Sequence, residues 1–150
     1  MNYVVGDKPP PGSCIFCDLP GAGADRENLI LKTNADCVVL LNRYPYSNGH
    51  LMVAPRTHVA DLGALEAPVY GRLMEELRNA AEVVRKALSP HGLNIGVNLG
   101  KAAGAGIDTH LHWHIVPRWE GDTNFMPVVA DIKVMPQHLL ESYDQLATYF

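Results

Sequence analysis

The sequence predicts an α+β fold: one antiparallel sheet of five strands with two main helices. Three observations carry that expectation. Apolar or alternating runs of strand length recur along the chain, and two of them flank a loop of turn formers. Two longer stretches place apolar residues at helical spacing. No repeat or composition shift divides the 150 residues, a length that suits one core.

Lys8-Pro9-Pro10-Pro11-Gly12 is stiff and extended, so residues 1–13 read as a lead-in to a single domain over 14–150. Cys14-Ile15-Phe16-Cys17 follows, then a loop at Gly21-Ala22-Gly23-Ala24. Leu29 to Lys32 reads as a short strand and Asn34-Ala35-Asp36 as a turn. Cys37-Val38-Val39-Leu40-Leu41 is apolar throughout, as a strand covered on both faces requires, with Cys37 a small apolar filler. Asn42 ends it. Tyr44 to Gly49 is a loop, and His50 to Ala54 resumes a strand, making a hairpin whose loop is too long for a two-residue turn.

A helix is expected over Pro68 to Leu88. Proline suits a first helical position, and Leu73, Leu77, Ala80, Val84 and Leu88 form one stripe. Glu82 and Lys86 are an i, i+4 pair, and Glu66, Glu75 and Glu76 read as the solvent face. Ser89-Pro90-His91-Gly92 stops the helix. Leu93 to Asn98 reads as a strand and Gly100 to Gly106 as a glycine-rich loop. After the His110–Arg118 stretch and a loop over Trp119–Asn124, Pro136 to Phe150 reads as a closing helix. Its inner side is Leu139, Tyr143, Leu146 and Phe150.

The chemistry concentrates in His110-Leu-His112-Trp-His114-Ile-Val-Pro117-Arg118. Alternation is the strand period, so the three imidazoles share one face, roughly 6–7 Å from one to the next. Leu111, Trp113 and Ile115 face the core, Pro117 is expected to end the pairing, and the imidazoles to line an opening. A buried histidine needs partners for two nitrogens, which makes a purely structural row of three expensive. Neutral imidazole is a competent nucleophile toward phosphorus near pH 7. His112, in the middle, is the natural nucleophile. His114 is placed to protonate a leaving group or to donate a hydrogen bond to phosphate. The glycines of 100–106, among them Gly104 and Gly106, let backbone N–H groups approach a phosphate, and Lys101 adds a cation.

Cys14-x-x-Cys17 is half of a zinc site by spacing. The other two ligands have candidates in His50, His58, His91, His110 and His138. A catalytic metal held by the alternating histidines is a competing reading. His91 and His138 otherwise read as solvated, Arg118 and Lys133 as surface charges, and Tyr44 and Tyr46 as bordering a nucleotide or a partner copy. A net charge of −4 argues against broad nucleic-acid or anionic-membrane binding, though not against a nucleotide in a local pocket. The N-terminus lacks a signal-peptide pattern, and no apolar run is long enough to span a membrane. With an odd count of three cysteines, this reads as a protein of the reducing cytoplasm.

His110-Leu-His112-Trp-His114-Ile-Val resembles the motif of the histidine triad (HIT) family. Asn42-Arg-Tyr-Pro-Tyr-Ser-Asn-Gly-His50 and Asn98-Leu-Gly100 resemble that family's other site segments. Tyr44-Pro-Tyr46, Asn98 to Gly104, Arg118-Trp119 and Gly121 to Phe125 are similar to bacterial members described as diadenosine tetraphosphate hydrolases or phosphorylases. The resemblance implies a HIT-like antiparallel sheet with two helices, paired as a homodimer. It implies a covalent nucleotidyl intermediate at His112, completed by His50, His110 and His114, with Asn42 at the ribose and Asn98 near the phosphate. It implies a structural zinc on Cys14, Cys17, His58 and His110, no organic cofactor, and a dinucleoside polyphosphate as substrate. Water, inorganic phosphate, or a sugar phosphate or sulfate remains open as the acceptor. Gly106-Ile-Asp108-Thr109 departs from the Gly-Gln-Ser/Thr of many members, and Asp108 is expected to point away from phosphate. The rival readings are a metal-dependent hydrolase and a nucleotide-binding regulator without turnover.

Overall fold

The computed structural model describes residues 12–123 and 137–150. Most of the expected lead-in, together with Asn124, Phe125, Lys133 and Pro136, lies outside the described residues. Among those described, the strands are β1 (Ile30–Thr33), β2 (Cys37–Leu41), β3 (Leu51–Pro55), β4 (Gly92–Val97) and β5 (Trp113–Arg118). The helices are α1 (Ile15–Asp18), α2 (Asp25–Asn28), α3 (Ala67–Leu88) and a last one, α4 (Leu139–Ala147). The strands form one antiparallel sheet in the order β1-β2-β3-β5-β4.

Every residue of β2 and β3 is buried, because these strands are covered on both faces. The period of two then divides their side chains. Val39, Leu41, Leu51 and Val53 join Leu111, Trp113 and Ile115 under α3 and α4, forming the large core. Val38, Leu40, Met52 and Ala54 point the other way, into a smaller cluster with Ile30, Cys14 and Phe16. Cys37 is buried, as a filler should be, and burial pushes its thiol up to about 11.

α3 begins with proline in its first turn and ends at Ser89, whose φ of 47° breaks the right-handed path. Leu73, Leu77, Ala80 and Val84 are buried as the stripe predicts. Glu76 corrects the expected solvent face: it is buried, because its carboxylate receives Lys32 Nζ at 3.0 Å and Asn34 Nδ2 at 3.4 Å. Glu82 pairs with Arg85 at 3.7 Å rather than with Lys86.

Two strand expectations also change. β5 starts at Trp113, so His110 and His112 precede the strand, although burial continues to alternate the apolar side chains into the core. Pro117 does not end the strand. It pairs with Leu93 of β4, and its carbonyl accepts from Ser47 Oγ at 2.7 Å on the opposite side, where β3 has already stopped. A missing N–H costs nothing on that side. Gly49 closes the β2–β3 loop at φ 72°, and a Cβ there would overlap Leu88 Cδ1, so the turn carries no side chain.

Candidate functional site

The loop entering β5 crosses the face of the sheet that α1 covers. Loop, strand and hairpin together form a row running from the cysteines to the β2–β3 hairpin: His110 and His112 of the loop, His114 of β5, then His50 of the hairpin. The row is not the open surface the alternation suggested. His50 and His110 are fully buried, His112 is 4% exposed, and His114 is half-buried. Burial holds the imidazoles of His110 and His112 below the usual histidine range. Burial, with His112 adjacent, takes His114 down to about 4. The rings of His110, His112 and His114 are therefore neutral near pH 7, and each carries one N–H and one lone pair.

Hydrogen bonds assign which nitrogen is which. His112 Nδ1 lies 2.8 Å from the carbonyl oxygen of His110. A carbonyl only accepts, so the proton is on Nδ1 and the lone pair is on Nε2. His50 Nδ1 accepts from the Tyr46 backbone N–H at 3.0 Å. Its proton is then on Nε2, which donates to His114 Nδ1 at 2.9 Å. His114 must consequently carry its proton on Nε2. His112 and His114, with ring centroids 4.9 Å apart, thus have opposite polarity at their outer nitrogens: a lone pair on one and a donor on the other.

At the other end, His110 Nε2 donates to the Pro55 carbonyl at 2.8 Å, which leaves a lone pair on Nδ1. That nitrogen lies 3.2 Å from Cys14 Sγ, 3.5 Å from Cys17 Sγ and 3.1 Å from His58 Nδ1. Cys17 Sγ is 3.3 Å from His58 Nδ1. Tetrahedral zinc with bonds of 2.0–2.3 Å sets its ligands roughly 3.3–3.8 Å apart; these four separations come close to that, and all four donor atoms lie within 4.8 Å of one another. Burial, and then the neighbouring Cys14, push the Cys17 thiol up to about 11, so without a cation it stays protonated. Arg56 favours its thiolate, and Arg56 Nη1 is buried with no hydrogen-bond partner among the described residues. A cation held there would keep the sulfurs as thiolates. Of the five histidines the sequence left open as ligands, His58 and His110 join the cysteines. His50 belongs to the other end, His91 Nδ1 accepts from Glu120 N, and His138 caps α4.

Asn42 sits at the foot of the hairpin. Its Oδ1 accepts from Tyr44 N at 2.9 Å and its N–H donates to the His50 carbonyl at 2.8 Å. Asn98 is half-buried beside Gly104, where a Cβ would lie 3.8 Å from Asn98 Nδ2. Gly104 has φ 89°, and Gly106 lies in an exposed bend. Lys101 is not an unattached cation: its Nζ stands 3.6 Å from the Asp108 carboxylate. Arg118 holds Asp122 through two nitrogens and Asn94 through a third. Sequence reasoning missed Phe16, whose ring packs on the row, and the carbonyls of Pro55 and His110. The place of Phe16 between two cysteines was its only signal.

A family model described as HIT domain matches residues 24–121, more than half of the chain. This chain belongs to the HIT domain family. Cys14 and Cys17 precede the matched HIT region. An AP-4-A phosphorylase from two strains of Mycobacterium tuberculosis is 40% identical over 133 residues, covering 89% of this chain and 68% of that protein. A crystal structure of a Zn-bound histidine triad family protein from Mycobacterium smegmatis superposes with TM-score 0.65 at 25% identity, over 81% of this chain and 82% of that one. A Hit-like protein from Bartonella henselae, at TM-score 0.67 and 21% identity over 81% of this chain and 86% of that one, shares the fold.

Proposed function

We propose that this HIT-domain chain is an enzyme that cleaves a nucleoside phosphoanhydride, with dinucleoside polyphosphates such as diadenosine tetraphosphate as the substrate class. The opposite polarity of His112 Nε2 and His114 Nε2 is the observation that carries the reading. His112 Nε2 attacks phosphorus, the P–O bond to the leaving nucleotide breaks, and a P–N bond forms. The Nδ1 proton stays on the ring, and the His110 carbonyl stabilises the resulting imidazolium. His114 Nε2–H donates a hydrogen bond to a phosphate or leaving-group oxygen. A polyphosphate leaves as a stable anion, so full proton transfer is unnecessary. Water, which gives up a proton to solvent, or inorganic phosphate then attacks the same phosphorus, the P–N bond breaks, and neutral His112 returns.

His50 holds His114 in its donor tautomer. Asn42 is proposed at the ribose, with Asn98 and the backbone of Gly104 and Gly106 at the phosphates. Cys14, Cys17, His58 and His110 are proposed to hold zinc, which when bound would fix α1 and the loop before β5. The metal-capable group leaves out His112 and His114, which speaks against a metal-dependent hydrolase built on them. We place the protein in the cytoplasm, as its three free cysteines suit a reducing compartment. No helix among the described residues is long and apolar enough to cross a membrane. A single HIT domain over 14–150 is proposed to work as a homodimer. Its support is β4, the edge of the sheet among the described residues, where Ile95 is 47% exposed and the following Leu99 40%.

The test is product analysis with diadenosine tetraphosphate, with and without inorganic phosphate, for the native chain and His112→Gly. Products that change with phosphate identify phosphorolysis, and unchanged products identify hydrolysis. Undiminished turnover by His112→Gly would remove the reading.

A further inference from the structure

Phe16 is not a member of the histidine row, yet its ring lies against two of its members, His110 and His112. It is the buried residue of α1, a four-residue helix flanked by Cys14 and carrying Cys17. Its ring is stacked on His112, with centroids 4.9 Å apart and planes at 29°. It also meets His110 at 5.1 Å and 49°. Its own exposure is 0%, and Ile30, Val38, Leu40, Met52 and Ala54 complete the cluster around it. Those neighbours rise from the sheet, so the ring has little room to tilt.

His112 needs such a neighbour. Its hydrogen bond to the His110 carbonyl restrains one edge of the imidazole. A single bond at Nδ1 still lets the ring rock about that contact, and rocking swings Nε2, the atom on the far side. A flat surface against one face removes that freedom. An aliphatic side chain of similar volume would exclude water but would not define a plane.

We propose that Phe16 is a positioning residue for the nucleophile: its stacked ring sets the plane of His112 and so aims Nε2 at phosphorus. The inference rests on the nucleotidyl-His112 reading. It makes the Cys14–Cys17 turn serve the reaction through its apolar residue as well as through its sulfurs. Orientation losses of this kind cost up to about 100-fold in rate when an atom is misplaced by about 1 Å.

The experiment compares the native chain, Phe16→Leu, Phe16→Tyr and His112→Gly, with metal content measured on each. Steady-state and single-turnover kinetics use diadenosine tetraphosphate, and the His112 ring protons are followed by NMR. For Phe16→Leu the expected result is a fall in kcat of about 10- to 100-fold with KM within about 3-fold. Nucleotidyl-enzyme formation should slow by the same factor, and the His112 ring protons should lose the shift a stacked ring imposes. Phe16→Tyr, which keeps the flat face, should recover most of kcat. Native kcat in Phe16→Leu, whatever its thermal stability, overturns the proposal. If Phe16→Leu loses metal, Phe16→Tyr decides: kcat near native supports positioning, and a fall equal to that of leucine overturns it. Should His112→Gly turn over normally, the nucleotidyl reading itself fails. If His112→Gly is inactive while Phe16→Leu keeps native kcat, only the role of Phe16 falls.

Discussion

The two ends of the histidine row are built from the same side chain and are prepared for different chemistry. At the cysteine end, His110 is protonated on Nε2 by its bond to the Pro55 carbonyl, and its Nδ1 lone pair joins two sulfurs and His58. Two residues later, His112 is protonated on Nδ1 by its bond to the His110 carbonyl, and its lone pair is on Nε2. His114, two further on, is reversed again, because His50 donates to its Nδ1. Residue type does not separate the proposed ligand, the proposed nucleophile and the proposed donor here. The partner of the other ring nitrogen does, and in two of three cases that partner is a backbone carbonyl.

Four variants test this contrast, in falling order of effect. His112→Gly should lower kcat by about 10⁴-fold or more while leaving metal content unchanged, measured by product formation and metal analysis. His58→Ala should do the reverse. Bound metal is lost and the unfolding temperature drops, yet turnover is retained far above that of His112→Gly. An equal loss of activity in both variants would erase the division between the two ends. His50→Ala releases the tautomer of His114 without removing a group that bonds to phosphorus. Its expected cost is about 10- to 100-fold in kcat, with metal retained.

The smallest effect is on stability against pH. The folded state holds His114 near 4, below the ordinary histidine value, so the unfolded chain takes up that proton first as pH falls. The contribution is therefore fully present above about pH 6.5 and is lost progressively down to about pH 4. Urea midpoints at pH 7 and pH 5 should differ less in His114→Asn than in the native chain.

Much of the frame was legible because periodicity survives folding. The stripe Leu73, Leu77, Ala80 and Val84 is buried in α3, and the unbroken run Cys37–Leu41 is the doubly covered β2. Cys14-x-x-Cys17 named half of the metal-capable group. Glu76 was misread because its burial depends on Lys32 and Asn34, which are remote in sequence. Pro117 was misread because a proline is harmful only where a partner strand awaits its N–H, and β3 stops short of it. Phe16 was passed over because an apolar residue between two cysteines has no periodic neighbours to reveal its face.

The order of residues by itself determined that the three histidines and the core side chains would separate to opposite sides, since alternation is a property of extended backbone. It also determined that two thiols would stand at the spacing of half a zinc site. Only the tertiary structure decided which imidazole nitrogen carries each proton, and which histidines meet the sulfurs. Those outcomes depend on backbone carbonyls and on segments brought together from distant parts of the chain. A carbonyl is present at every residue, so its place in a string of letters says nothing about what it will accept.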